Sequence, residues 1–254
     1  MKIILITGAS SGIGKEFTFQ LDQGLRGDYE FWLVGRNKES LRELSKILIH
    51  NSRTFSIDLT DAEELRELEE TVLQSNAKIC MLIASAGVGY SGPLHFLANF
   101  EVQNMIRLNC EALTTLVRYM LPYMAPNGRI ILMSSAAAFL PQPGFAVYAA
   151  SKAYVLSFSR ALSAELKDKN VYVTAVCPGP VDTPFLAKAA KTGEAPAYKK
   201  YFTAKPEDVV AKALRDSMHK RSISVYGNSI KALRILSKLI PHEVFLTIMG
   251  GFSK

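Results

Sequence analysis

The sequence predicts a doubly wound α/β fold, a Rossmann-like parallel sheet with helices on both faces. Three observations carry this. Short apolar, mostly β-branched runs alternate with charged, helix-favouring stretches along the chain. The runs are too apolar to leave a wet face, as strands covered on both sides must be. The first of them, Ile3-Ile4-Leu5-Ile6, leads at once into Thr7-Gly8-Ala9-Ser10-Ser11-Gly12-Ile13-Gly14 and a helical pattern from Lys15. Strand, glycine turn and helix is the form that binds a dinucleotide. Glycines let the backbone turn tightly, and the helix N-terminus offers unpaired N–H groups and a positive dipole end to a pyrophosphate. Ordinary β–α turns also use glycine, so the turn alone names no ligand.

The remaining elements follow in order. Tyr29 to Gly35 reads as strand two, and a charged helix from Lys38 to His50 leads to strand three, Thr54 to Ile57. Asp58-Leu59-Thr60-Asp61 caps the next helix, with Glu63, Glu64 and Glu67 placed favourably near its N-terminus. Ile79 to Ala84 is a buried strand four, ending in Ala86-Gly87-Val88-Gly89. A loop with Gly92-Pro93 precedes a helix from about Phe100 to Tyr123. Pro126-Asn127-Gly128 then turns the chain into strand five, Arg129 to Ser134. A helix from about Ala146 to Lys167 and strand six, Val171 to Val176, follow, the strand being stopped by Cys177-Pro178-Gly179-Pro180. Residues 182–204 show weak periodicity and are expected to form a mobile substrate loop. Pro206 suits the first turn of a further helix, and Ser222 to Val225 makes a last short strand before an apolar, helical tail. No repeat or linker divides the chain, so residues 1–254 are expected to form one domain. Ligands of such sheets bind beyond the C-terminal strand ends, at the switch point of the topology.

At 254 residues, with 48% hydrophobic and 21% charged residues, the composition is that of a soluble globular protein. Met1-Lys2 runs directly into the first strand, so no cleaved signal peptide is expected, and no apolar run approaches the ~20 residues of a membrane span. Cys80, Cys110 and Cys177 are odd in number and lack metal-ligand spacing. They suit a reducing compartment, so a cytoplasmic location is expected, with no metal. The net charge of +7 is concentrated at the end: residues 186–254 hold 13 Lys/Arg against 5 Asp/Glu, or +8, and the rest sums to −1. No nucleic-acid-binding motif accompanies this charge, and no nucleic-acid partner is expected. In the tail at about 228–252, Ile230, Leu233, Leu236, Leu239 and Ile240 alternate with Lys231, Arg234 and Lys238 at helical spacing. Such a face either packs on the enzyme or makes peripheral contact with an anionic membrane.

Tyr148 and Lys152 lie four apart on one helix and so share a face. A phenol with a pKa near ~10 is a poor base at neutrality, and a nearby ammonium should lower that value. Ser135 closes strand five, where its hydroxyl either satisfies a turn or holds a substrate oxygen beside the phenol. Asn109 lies inside a helix, where asparagine needs a reason: a buried contact to backbone, or a water-mediated proton path to the lysine. The lone His95 has no metal cluster around it and is given no role.

Taken together these segments resemble the short-chain dehydrogenase/reductase family over nearly the whole length. Thr7 to Gly14 is similar to its TGxxxGxG cofactor turn, Tyr148-Ala149-Ala150-Ser151-Lys152 to its YxASK segment, and Cys177 to Thr183 to its PGxVxT segment. Ser135 and Asn109 fall at the family's intervals. The resemblance implies an oxidoreductase interconverting a ketone or aldehyde and an alcohol, with a catalytic set of Asn109, Ser135, Tyr148 and Lys152. For the cofactor it implies the turn residues Gly8, Ser10, Ser11, Gly12, Ile13 and Gly14, then Ala86 and Gly87, with Tyr148 and Lys152. Pro178, Gly179, Val181 and Thr183 would meet the nicotinamide end, while Asp58 and Leu59 resemble the adenine-contacting pair. One departure is visible: the family's NNAG reads Ala84-Ser85-Ala86-Gly87 here, so Ser85 replaces the second asparagine at most in part.

Cofactor choice rests on the end of strand two. An acidic residue there selects NAD, but Gly35 is followed by Arg36-Asn37-Lys38 with no carboxylate before Glu39. A cation pairs with a 2′-phosphate, so NADP(H) is expected over NAD(H), with Arg36 as the determinant. An apolar substrate is expected from Ala138, Phe139, Leu140, Phe185, Leu186 and Phe202, with Ser135, Phe139, Tyr148 and Phe185 touching it. A homodimer or homotetramer is implied by the resemblance, through helices starting near Phe100 and Val147. The competing function is a non-catalytic NADP(H)-binding sensor, which the complete Ser135, Tyr148 and Lys152 set argues against.

Overall fold

Seven parallel strands form the centre of the computed structural model, which describes residues 1–189 and 203–251. They are β1 (Lys2–Thr7), β2 (Glu30–Gly35), β3 (Ser52–Ser56), β4 (Lys78–Ala84), β5 (Met124–Met133), β6 (Tyr172–Val176) and β7 (Ile223–Ser224). The spatial order is β3-β2-β1-β4-β5-β6-β7. The chain therefore winds outward from β1 to one edge, returns to β4 beside β1, and winds out the other way. The switch point lies between β1 and β4.

The strands alternate between two apolar faces, not between an apolar and a wet one. Ile3, Leu5, Trp32, Val34, Leu82, Ile130 and Leu132 point into one core. Ile4, Ile6, Phe31, Leu33, Ile83, Ile131 and Met133 point into the other. The first face is covered by α3 (Ala62–Gln74), by α5 (Leu113–Met120) and by α6 (Ala146–Glu165). The second is covered by α1 (Gly12–Gly24), by α2 (Lys38–Ile47) and by α8 (Pro206–Met218). α1 shows why it packs there: Gly14, Phe17, Thr18, Leu21 and Asp22 recur at i, i+3, i+4, i+7 and i+8 and are its buried residues.

Two expectations are corrected. The helix read from Phe100 to Tyr123 is α4 (Asn99–Ile106), a π-helical turn (Arg107–Ala112), α5 and a 3₁₀ turn (Leu121–Tyr123). Pro126-Asn127-Gly128 does not precede strand five but lies inside β5, which begins at Met124 and ends one residue before Ser134. Met124 pairs with Ile79 and Arg129 with Met81, so the extra residues form a bulge. Asn127 takes the left-handed φ of 62° that lets this happen.

Asp61 caps α3 as expected, accepting from the Glu63 and Glu64 amides. α7 (Pro184–Ala189) opens the region expected to be the substrate loop; residues 190–202, Phe202 among them, lie outside the described residues. The tail forms α9 (Asn228–Leu239) and α10 (His242–Gly251), separated at Pro241. No helix among the described residues is long and apolar enough to cross a membrane.

Candidate active site

The glycine turn after β1 closes against two neighbours at the switch point. Gly8 has φ +67°, and a Cβ there would stand 2.9 Å from the Ala86 nitrogen. A Cβ at Gly14 would meet the Gly8 carbonyl oxygen at 2.3 Å, so the start of α1 sits directly on the turn. The Thr7 hydroxyl accepts from the Ser85 and Ala86 amides at 3.1 and 3.2 Å, tying β1 to the turn after β4. Thr7, not the Ser85 side chain, thus supplies a brace for the segment that departs from NNAG. Gly12, φ +53°, leaves room for the Thr183 methyl, which would lie 3.3 Å from an added Cβ, and Gly35 leaves room for the Ser10 hydroxyl. This glycine-lined cradle at a helix N-terminus fits a dinucleotide pyrophosphate, which needs backbone approach that any Cβ would block.

The second cluster forms where β5 ends. Ser135 is extended, its oxygen accepting from the Ala137 amide at 3.1 Å to start a 3₁₀ turn, Ala136–Phe139. α6 is pinned beside it: the Ser134 hydroxyl donates to the Lys152 carbonyl at 2.8 Å, and Lys152 Nζ donates to the Met133 carbonyl at 2.9 Å. Tyr148, one turn earlier, is buried between Phe145, stacked at 4.2 Å, and Phe185, tilted at 5.7 Å between centroids. Gly89 makes the opposite wall, since a Cβ there would lie 2.9 Å from the Tyr148 ring.

Burial decides the electrostatics. It pushes the Tyr148 phenol up to about 12, with the Ser135 side chain pulling the other way. It also pushes the Lys152 ammonium down to about 8. The expectation that Lys152 brings the phenol below its ordinary value does not match this arrangement. Nζ is turned to the Met133 carbonyl and stands 5.7 Å from the ring centroid, so desolvation wins.

Asn109 occupies the π-helical turn and is fully buried. Its Oδ1 accepts from the Val88 amide at 2.9 Å, and its Nδ2 donates to the Val88 carbonyl at 2.9 Å and to the Ser151 hydroxyl at 3.0 Å. The backbone contact expected for a mid-helix asparagine is therefore present. A Cβ at Gly87 would touch Asn109 Oδ1 at 3.1 Å and Lys152 Nζ at 3.3 Å, so this glycine keeps both within reach of one small space.

The model of the short chain dehydrogenase family matches residues 2–194. The chain belongs to that family. It is 31% identical over 193 residues to the 3-oxoacyl-(acyl-carrier-protein) reductase of Thermotoga maritima, covering 74% of this chain and 77% of the relative. A short-chain dehydrogenase from Sphingobium yanoikuyae, solved in complex with NADPH, is similar with a TM-score of 0.78 and 28% identity, over 89% of this chain and 87% of that one. One from Burkholderia phymatum, in complex with NAD, shares the fold at a TM-score of 0.80 and 21% identity over 92% of each chain.

In this short-chain dehydrogenase the other expected site residues divide. Arg36 is exposed just past β2, its Nη1 3.8 Å from Asp58 Oδ2, so a carboxylate does stand near it, brought from the end of β3 and not from β2. Burial raises the Asp58 carboxyl, but hydrogen bonds from Thr60 and the Arg36 charge lower it overall. Leu59 is buried in the core beneath. Pro178 accepts from the Ala136 amide at 2.8 Å, Val181 is buried, and Gly179 lies under Ile230. Phe139 is not beside Tyr148: the 3₁₀ turn rolls it into a separate buried group with Ala136, Ala175, Cys177 and Val225. Its place against the phenol is taken by Phe145, whose i, i+3 relation to Tyr148 is the sequence signal that would have found it. Among the described residues no group of side chains is arranged to hold a metal.

Proposed function

We propose that the chain is an NADP(H)-dependent carbonyl reductase, interconverting a ketone or aldehyde and an alcohol on an apolar substrate. One observation carries the reading. The Tyr148 phenol, the Ser135 hydroxyl and Lys152 converge at the strand-end edge, beside glycines whose Cβ atoms would fill the space. The nicotinamide, when bound, supplies or accepts the hydride. Tyr148 gives its proton to the carbonyl oxygen in reduction and takes one from the hydroxyl in the reverse direction. Ser135 hydrogen-bonds the same oxygen and fixes its position. Lys152 would bind the nicotinamide ribose, and Asn109 would support a water-mediated proton path to it.

The turn from Gly8 to Gly14 would hold the pyrophosphate, Ala86 and Gly87 the middle of the cofactor, and Pro178 to Thr183 its nicotinamide end. Arg36 would pair with a 2′-phosphate, and its exposure supports that choice; its partner Asp58, with Leu59, would meet the adenine side. Val88, Tyr90, Leu97, Phe145 and Phe185 around Tyr148 support an apolar substrate, as does a relative whose name gives it 3-oxoacyl chains. Phe100, Ile106 and Tyr154 are exposed on α4 and α6, as are the small residues Ala150, Ala153 and Ser157, which supports a homodimer or homotetramer through those helices. Free cysteines support a cytoplasmic setting.

A ketone and alcohol panel with NADPH and NADH, followed by absorbance, tests the reading. Turnover should prefer NADPH, and Arg36→Leu should reduce that preference by roughly tenfold or more. Tyr148→Phe should lower turnover by on the order of 100-fold or more while NADPH binding, read by fluorescence, is kept. Full activity in Tyr148→Phe would overturn the mechanism.

A further inference from the structure

α9 carries more apolar surface than the fold uses. Its inner row, Ile230, Leu233, Ser237 and Ile240, is half-buried, as is Arg234 at its border, with Ile230 standing over Gly179, and the helix packs against the 3₁₀ turn that follows Ser135. Further round the helix, Ile235, Leu236 and Leu239 are 59, 44 and 74% exposed. Lys231, Arg234 and Lys238, at i, i+3 and i+7, run beside Ile235 and Leu239 at i+4 and i+8, so a basic row and an apolar row share one face. These five residues line a common depression. No residue of α9 is buried. Beyond Pro241, Val244 and Leu246 of α10 add exposed apolar surface, and Glu243 is the one acid between Lys231 and Thr247.

We propose that this face docks the protein onto an anionic lipid bilayer, with α9 lying flat in the interface. The occupant is argued from charge. A second copy meeting the same face across a two-fold axis would set the cationic row against itself, at a cost. Anionic headgroups instead complement Lys231, Arg234 and Lys238, whose long stems reach the headgroups while Ile235 and Leu239 enter the acyl boundary. With no described helix able to span, the contact is peripheral. It would bring the Ser135 end of the sheet close to the lipid. The surface stands independently of the reaction assigned above.

Flotation of the full chain with vesicles tests this, using phosphatidylcholine alone and phosphatidylcholine mixed with phosphatidylglycerol. The protein should float with the anionic vesicles and not with the neutral ones, and less as salt rises. Lys231→Gln/Arg234→Gln/Lys238→Gln should weaken binding on the order of 100-fold, since each cation near such a surface contributes about a factor of five. Ile235→Ser/Leu239→Ser should weaken it independently, and both variants should keep the thermal midpoint of the parent. Absence of flotation, or flotation unchanged in both variants, would overturn the proposal. So would an Ile235→Ser/Leu239→Ser variant that sediments as a smaller species than the parent, which would assign the face to a second copy.

Discussion

At the scale of single residues, Tyr148 shows how burial sets a direction for the chemistry. A phenol raised to about 12 stays protonated through neutrality, so the proton-donating form is the populated one and the proton-accepting phenolate is scarce. Reduction needs the phenol and alcohol oxidation needs the phenolate. The pH profile of oxidation should therefore climb from neutrality upward, while that of reduction stays level and then falls as Lys152 loses its charge above about 8. Initial rates in both directions across pH check this, and a reduction rate that climbs with pH would contradict it. Spacing along the sequence put Tyr148 and Lys152 on one face but did not say where Nζ turns. That depended on the Met133 carbonyl, which belongs to another element and reaches Nζ only once α6 is docked.

At the scale of elements, the turn at the start of α1 is limited by contact with itself. A methyl at Gly14 has 2.3 Å to the Gly8 oxygen, so Gly14→Ala must shift the backbone of the turn. The expected cost is about 1–3 kcal/mol of stability together with weaker NADPH binding, measured by thermal unfolding and by fluorescence titration. The existence and order of the strands were legible because the central ones carry short apolar runs with both faces dry, although the edge strand β3 leaves Arg53 and Ser56 exposed. The π-helical turn around Asn109 and the bulge in β5 were not. An inserted residue changes the hydrogen-bonding partner without changing local hydropathy, so periodicity passes over it.

At the scale of the molecule, a buried carboxylate ties the second face of the sheet together. Asp22, at the end of α1, accepts from the Ile49 and His50 amides and contacts the His50 ring at 2.9 Å. Burial raises its pKa, but these hydrogen bonds and His50 outweigh that and hold it below 3.8. A carboxyl with a lowered folded-state pKa stabilises above its unfolded value, and the contribution is lost as pH falls through the folded value. Asp22→Asn should therefore cost about 1–2 kcal/mol at neutral pH, and the gap to the parent should close in acid below 3.8. Denaturant unfolding at both pH values measures it.

The sequence by itself determined the alternation of strands and helices, the two dry faces of the sheet and the positions of the glycine turn and of Tyr148 and Lys152. Each of these is a local pattern, set by side-chain periodicity or backbone freedom within a few residues. Only the tertiary structure decided that Thr7 braces the turn after β4, that Phe145 rather than Phe139 lies on Tyr148, and that Asp58 reaches Arg36. It also decided which of the two apolar rows of α9 the fold covers. Those contacts join residues from different elements, and their geometry follows from how the sheet twists and the helices settle, which no spacing along the chain records.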